Sequence, residues 1–278
     1  VQKRKRPISS LPYMIKGNMP YDGGYLLMDV TTKNHIVEQD RRVLQYMRRI
    51  VGSDEFINGI ERWCFWITDD KADAALEIPI IKERADLVRD LRLGKADKSA
   101  QRLAAYPYRF REMHETTTNS LVIPSVSSEN REYVPVGFVD KKTVVTNLAF
   151  VIYDCDPWIF GVVSSKMHNL WIKAVCGGLE TRIRYSSELG YNTFPFPAIT
   201  DEQKKDIRNC VNQVIAVREE EFDKTYAQMY KKDEMSDDLR FAHSMLDLQI
   251  ERCYRDEPFV SDDDRLDCLF ELYEKIGG

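Results

Sequence analysis

At 278 residues, with 43% hydrophobic and 31% charged side chains, the chain can build one large or two ordinary domains with real cores. No apolar run approaches the roughly 20 residues of a membrane helix, so the composition predicts no membrane partner and a cytoplasmic protein. The net charge of −5 argues weakly against nucleic acid, but residues 199–278 hold 12 Lys and Arg against 21 Asp and Glu, leaving 28 against 24 for residues 1–198; only the first part could face phosphate comfortably.

In chain order, VQKRKRP reads as a solvated linker in preference to a DNA-contacting arm. A loop-rich segment with a turn at Asp22-Gly23-Gly24 leads into a short strand at 25–28. Val43, Leu44, Met47, Ile50 and Val51 recur at helical spacing, predicting a helix over 37–51 that Gly52 stops. Asn58-Gly59 reads as a turn before an aromatic strand over 62–67, and residues 71–93 read as helix begun or kinked at Pro79. Strands are then expected over 120–126, 131–139 and 143–153, with Pro124 and Pro135 confined to edges or bulges.

Asp156 and Pro157 open a helix with a wide apolar stripe that Gly177 and Gly178 end. Past Pro197 the reading is helical throughout. Thr200 with Gln203 makes a capping box ahead of an apolar face of Ile207, Val211, Val214, Ile215, Val217 and Phe222, and Ser236 and Ser261 open helices over 236–255 and 261–276. The expected fold class is α+β: an irregular mixed sheet with packed helices over 1–198, then an all-α region over 199–278.

Catalytic and metal chemistry are not expected. The cysteines show no CxxC spacing, the four histidines are scattered, and Asp262, Asp263 and Asp264 sit in a helix first turn, where the dipole favours acids. There is no Gly-rich phosphate loop and no triad-like signature. The distinctive segment is GGLETRIRYSSELGYNTFPFP at 177–197. If extended, it turns Glu180, Arg182 and Arg184 to one side and Thr181, Ile183 and Tyr185 to the other. In the DNA major groove Glu accepts from the cytosine amino group and Arg donates twice to guanine, so the pair could read one C·G base pair. On its own the triplet reads more readily as a surface strand carrying an ordinary ion pair.

Several separated motifs change that balance. PISSLPYMIKGNMPYDGGYLL, FINGIERWCFWI, LVIPSVSSENREYVPVGF, SSKMHNLWIKAVCGGLETRIRYS and YNTFPFP together resemble the C-terminal portion of MmeI-like (type IIL) restriction-modification enzymes. The resemblance covers residues 7–198 and continues more weakly through the helical tail. It implies a parent chain with an endonuclease domain, a helical linker and an adenine-N6 DNA methyltransferase using S-adenosylmethionine. A target recognition domain and a C-terminal helical region follow, and this sequence looks like those last two parts. The methyltransferase's cofactor and Asn-Pro-Pro-Tyr-like motifs and the nuclease motif are missing, so the segment itself is expected to be inert and without cofactor. Its implied partners are double-stranded DNA and the methyltransferase domain of the same parent chain.

The resemblance also places residues. Glu180 and Arg182 occupy the family's position for reading an outer base pair, where Glu-x-Arg goes with C in the modified strand. Arg184, Asn147 and Leu148 fall where inner base pairs are read. Ser127, Ser128 and Arg131, in an SSENRE motif, are expected to hold phosphate or orient the strand, or simply to form a turn. The rival reading is a protein-interaction module docking through the acidic tail.

Overall fold

The structure is a computed structural model. It describes residues 1–128, 131–176, 178–179 and 182–277, and of residues 178–179, 182–184 and 277 the backbone alone. Among the described residues the strands are β1 Ile15–Lys16, β2 Leu27–Asp29, β3 Met47–Val51, β4 Arg62–Phe65, β5 Asn119–Pro124, β6 Val126–Ser128, β7 Gly137–Asp140, β8 Val144–Val145, β9 Ala149–Tyr153, β10 Gly178–Leu179 and β11 Arg182–Arg184. The helices are α1 Val30–Gln39, α2 Ser53–Asn58, α3 Ala72–Leu76, α4 Pro79–Leu93, α5 Lys98–Leu103, α6 Pro157–Ser164, α7 Lys166–Cys176, α8 Asp201–Glu220, α9 Tyr226–Met229, α10 Asp237–Arg252 and α11 Asp262–Gly277. The strands make three sheets, ordered β1-β9-β5-β7, β2-β4-β3-β8 and β10-β11-β6. Helices and sheets are thus mixed up to β11, and the rest is helical.

Two of the expected helices break, each for a local reason. The helix expected over 37–51 does not form: α1 ends at Gln39, Asp40 takes extended backbone, and its carboxylate caps a 3-10 turn over Arg41–Tyr46 before β3 begins. Val43, Met47 and Ile50 are buried, but Leu44, counted in the same stripe, is 48% exposed. A 3-10 turn followed by a strand here imitates helical spacing. The helix expected from 157 onward divides at Ser165, whose backbone is extended. Its hydroxyl donates to the Val162 carbonyl and accepts from the His168 N–H, ending α6 and starting α7.

The three middle strands also fragment. Residues 131–139 are strand only in β7; Tyr133, Val134 and Val136 reach the core from irregular backbone around Pro135, which has no N–H for a ladder. Residues 143–153 part into β8, parallel to β3, and β9, with a turn at 146–148 between them. Pro124 pairs with Ala149 of β9 beyond the end of β7, which reaches only Val122, so its missing donor is not wanted there.

The caps read from sequence hold in the tail: Thr200 and Gln203 form a reciprocal capping box, and the Ser236 and Ser261 hydroxyls accept from Leu239 and Asp264. Phe222 departs from expectation; it lies past the end of α8 and is 87% exposed. Ile207, Val211, Val214, Leu246 and Leu269 share one core with Leu121, Phe160 and Trp171, so buried apolar surface is continuous across position 198. Gly161 permits that closeness, because a Cβ there would lie 2.5 Å from Ile207 Cγ2. A second core, with Phe65, Ile67, Ile81 and Phe110, fills the N-terminal part. No helix among the described residues is long and apolar enough to cross a membrane.

Candidate nucleic-acid interface

The smallest sheet brings together two motifs more than fifty positions apart in the sequence. Strand β11 pairs antiparallel with β10 on one side and with β6 on the other, in the register Arg182 to Ser128, Ile183 to Ser127 and Arg184 to Val126. The backbones of Arg182 and Ile183 therefore lie beside the serines of the SSENRE motif, and that of Arg184 beside Val126. Glu180, with Thr181 and Gly177, lies outside the described residues, as do Glu129 and Asn130 of that motif.

Hydrogen bonds through Ser125 tie this sheet to the turn that carries Asn147 and Leu148. The Tyr185 N–H donates to the Ser125 carbonyl at 3.0 Å. The Ser125 hydroxyl donates to the Leu148 carbonyl at 2.8 Å, and the Ser53 hydroxyl reaches the same oxygen at 2.6 Å. Ser53 also accepts from the Ser125 N–H at 3.0 Å. The Leu148 backbone is thus fixed while its side chain is 59% exposed. Asn147, half-buried, donates its N–H to the Asn18 carbonyl at 3.0 Å. Gly17 leaves room for this turn, since a Cβ there would meet the Thr146 carbonyl oxygen at 2.4 Å.

Beneath the sheet the support is aromatic and dry. The Tyr185 hydroxyl lies 2.8 Å from His168 Nε2, both side chains buried. Burial holds the His168 imidazole down to about 3 and pushes the Tyr185 hydroxyl well above its usual range, so both are neutral at physiological pH. Trp171 Nε1 donates to the Thr193 hydroxyl at 3.1 Å, and the Tyr191 hydroxyl donates to the Pro12 carbonyl at 2.8 Å. Burial of Tyr185 is what strand alternation predicts for that side of the segment.

The remaining expected residues divide. Ser127 is 4% exposed and its hydroxyl has no hydrogen-bond partner among the described residues, so it faces inward. Arg131 is half-buried; its N–H donates to the Ser128 carbonyl at 3.2 Å, and it forms an isolated bridge with Lys231 of the C-terminal region. Sequence reasoning missed Ser53 and Ser125. Ser125 carried a weak signal as the first residue after Pro124, whereas Ser53 carried none, because its partner lies on a distant turn. Two of the three aspartates at 262–264 are held in ion pairs: Asp262 with Lys166 and Arg265, and Asp264 with Arg255. Among the described residues, no group of three His, Cys, Asp or Glu side chains could hold a metal ion. What this surface offers is fixed hydrogen-bonding groups on a rigid base.

Comparison with known proteins bears on this arrangement. The family model of the MmeI target recognition domain matches residues 1–198, and that of the MmeI C-terminal domain matches residues 199–277. DNA methyltransferase A of Bacillus subtilis (strain 168) is 41% identical over 276 residues, which is 99% of this chain and 31% of that protein. The structure of the type IIL restriction-modification enzyme MmeI in complex with DNA matches at a TM-score of 0.93 and 36% identity, over 99% of this chain and 37% of that one. The type IIG restriction endonuclease BpuSI, at a TM-score of 0.51 and 14% identity over 90% of this chain and 31% of its own, shares the fold alone. The chain spans about a third of the length of these relatives.

Proposed function

Because the chain belongs to the family of MmeI target recognition and C-terminal domains, we propose that it is the sequence-reading part of a type IIL restriction-modification DNA methyltransferase. In this reading it holds double-stranded DNA so that the methyltransferase domain of the parent chain can flip and methylate an adenine at N6. S-adenosylmethionine would bind that domain; these residues bind DNA without catalysing, in the cytoplasm.

The observation that carries the reading is the pairing of β11 with β6 together with the Ser125 link to the Leu148 turn. It gathers Arg182, Arg184, Asn147 and Leu148 onto one supported unit, and rigid support is what a reading element requires. Arg182 would bind guanine through O6 and N7, with Glu180 accepting from the paired cytosine, each contact contributing about 1–3 kcal/mol of discrimination. Arg184, Asn147 and Leu148 would read inner base pairs. Ser128 and Arg131 would orient the strand, and the buried Ser127 would support them from below. The acidic tail favours no separate docking role, since Ile207, Val211, Val214 and Leu246 are used against its own chain.

The test is to map methylated adenine in the DNA of cells expressing the full-length gene product. One asymmetric motif with C beside the modified adenine is expected. No motif from an expressed, cofactor-competent protein would overturn the reading.

A further inference from the structure

The tail of this chain is acidic as a whole, yet the structure brings basic residues of that region against Arg131. A cleft of about 430 Å³ elsewhere mixes aromatic side chains with charges of both signs; a smaller one, of about 260 Å³, lies at the seam between the sheet-bearing part and the helical tail, with Arg131, Lys173 and Lys232 in its lining. Lys173 and Lys232 are exposed, and none of the three makes an ion pair among the described residues.

The acids of the cleft are already occupied. Glu132 pairs with Arg240 at 3.2 Å, and Asp262 pairs with Lys166 at 2.9 Å and with Arg265 at 3.2 Å. Arg131 is instead partly desolvated and pairs with no acid among the described residues, and burial holds its guanidinium below the usual range. A half-buried guanidinium without a counterion is costly unless an anion completes it.

The walls are built, not incidental. Asp247 on α10 is buried beneath the cleft and accepts from two of its lining residues, the Tyr133 hydroxyl and the Lys166 N–H, both at 2.7 Å. Asn169 Nδ2 donates to the Glu132 carbonyl at 3.0 Å, fixing the Arg131 segment against α7. Both walls run directly into the small sheet: β6 ends shortly before Arg131, and α7 ends shortly before β10.

We infer that this seam is a phosphate clamp that grips one strand of duplex DNA beside the reading hairpin, with Arg131, Lys173 and Lys232 as its cations. The inference rests on the DNA-reading role above and adds to it that the C-terminal region takes part in DNA binding. Arg131 supplies the forked contact that suits a phosphate, and the lysines supply point charges. Such contacts set orientation and affinity without reading sequence.

The test uses the full-length protein with Lys173→Gln and Lys232→Gln together, exposed positions whose replacement leaves the core intact. Equilibrium binding is measured over a salt series to two probes, a mixed-sequence duplex and a duplex carrying the mapped methylation motif. The expected result is an equal loss of affinity for both probes and a shallower slope of log K against log salt, by roughly 0.9 for each phosphate no longer neutralised. Arg131→Gln is expected to act in the same direction and more strongly, with the preference for the motif unchanged. A charge-matched control, Lys95→Gln with Lys98→Gln, is expected to leave the slope alone. If the unsubstituted protein binds its motif and the seam variant keeps the same slope and affinity, or the control loses as much, the clamp is wrong while the reading role stands. If the unsubstituted protein shows no salt-dependent duplex binding, the reading role itself fails.

Discussion

Tyr185 and His168 face each other at 2.8 Å in a fully dry setting at the foot of β11, and the backbone N–H of the same tyrosine holds Ser125. One residue thereby joins the strand that carries Arg182 and Arg184 to the core on one side and to the Leu148 turn on the other. Tyr185→Phe removes the hydroxyl and leaves His168 with no partner for either ring nitrogen among the described residues, because Nδ1 already has none. The expected cost is about 1–3 kcal/mol, read as a lower urea midpoint at unchanged slope.

Gly17→Ala should act on the same turn from the other side. Its Cβ would fall 2.4 Å from the Thr146 carbonyl oxygen and 2.5 Å from that of Val145, backbone atoms that cannot rotate aside. A loss of about 1–3 kcal/mol or more is expected. Because Asn18 and Asn147 bond across this point, discrimination between cognate and altered sites should fall as well, which competition binding would measure.

Stability should depend on pH through three buried groups. Burial drives His168 from 6.5 to about 3 and His243 well below 6.5, so below about pH 6.5 the unfolded chain takes up two protons that the folded chain refuses. Asp247 works oppositely, since burial raises it from 3.8 to about 7 and the folded chain keeps a proton that the unfolded chain has released. Stability between about pH 5 and 6.5 should therefore rise with pH by the equivalent of about one proton. Asp247→Asn removes the opposing group and should steepen that rise to about two protons. Urea denaturation across this range measures both slopes, and an unchanged slope in the variant would contradict the assignment.

Ser125→Ala isolates the link between the reading strand and the turn. It deletes the hydroxyl that donates to Leu148 but keeps the backbone bond from Tyr185. A stability loss of about 0.5–1.5 kcal/mol is expected. Affinity for inner-pair variants of the site should change more than affinity for mixed-sequence DNA.

Much of the fold was legible where local chemistry decides. The serine and threonine caps at Thr200, Ser236 and Ser261 mark the tail helices because a side-chain oxygen beside an unpaired N–H is a local interaction. Pro79 stands at the first turn of α4 for a similarly local reason. Periodicity misled at 37–51, where a 3-10 turn and a strand between them bury positions that a helix would also bury. It misled again at Ser165, where two helices in succession present one continuous apolar stripe. The sequence singled out SSENRE and the Glu180 to Arg184 segment separately, but could not show that Arg182 and Ile183 pair with Ser128 and Ser127, because register between distant strands is set by tertiary packing. The seam cleft was hidden for the same reason. Averaging the tail to a strongly acidic region conceals that Lys231 bridges to Arg131 and that Lys232 lines the same cleft.

The proposed function turns on residues 180 and 182 choosing a base pair. Mapping methylated adenine in cells that express the full-length gene product with Glu180→Lys and Arg182→Asp together probes that choice without intermediates. One position of the motif is expected to change from C·G to G·C while the others stay as they were. Undiminished methylation of the original motif would contradict the assignment.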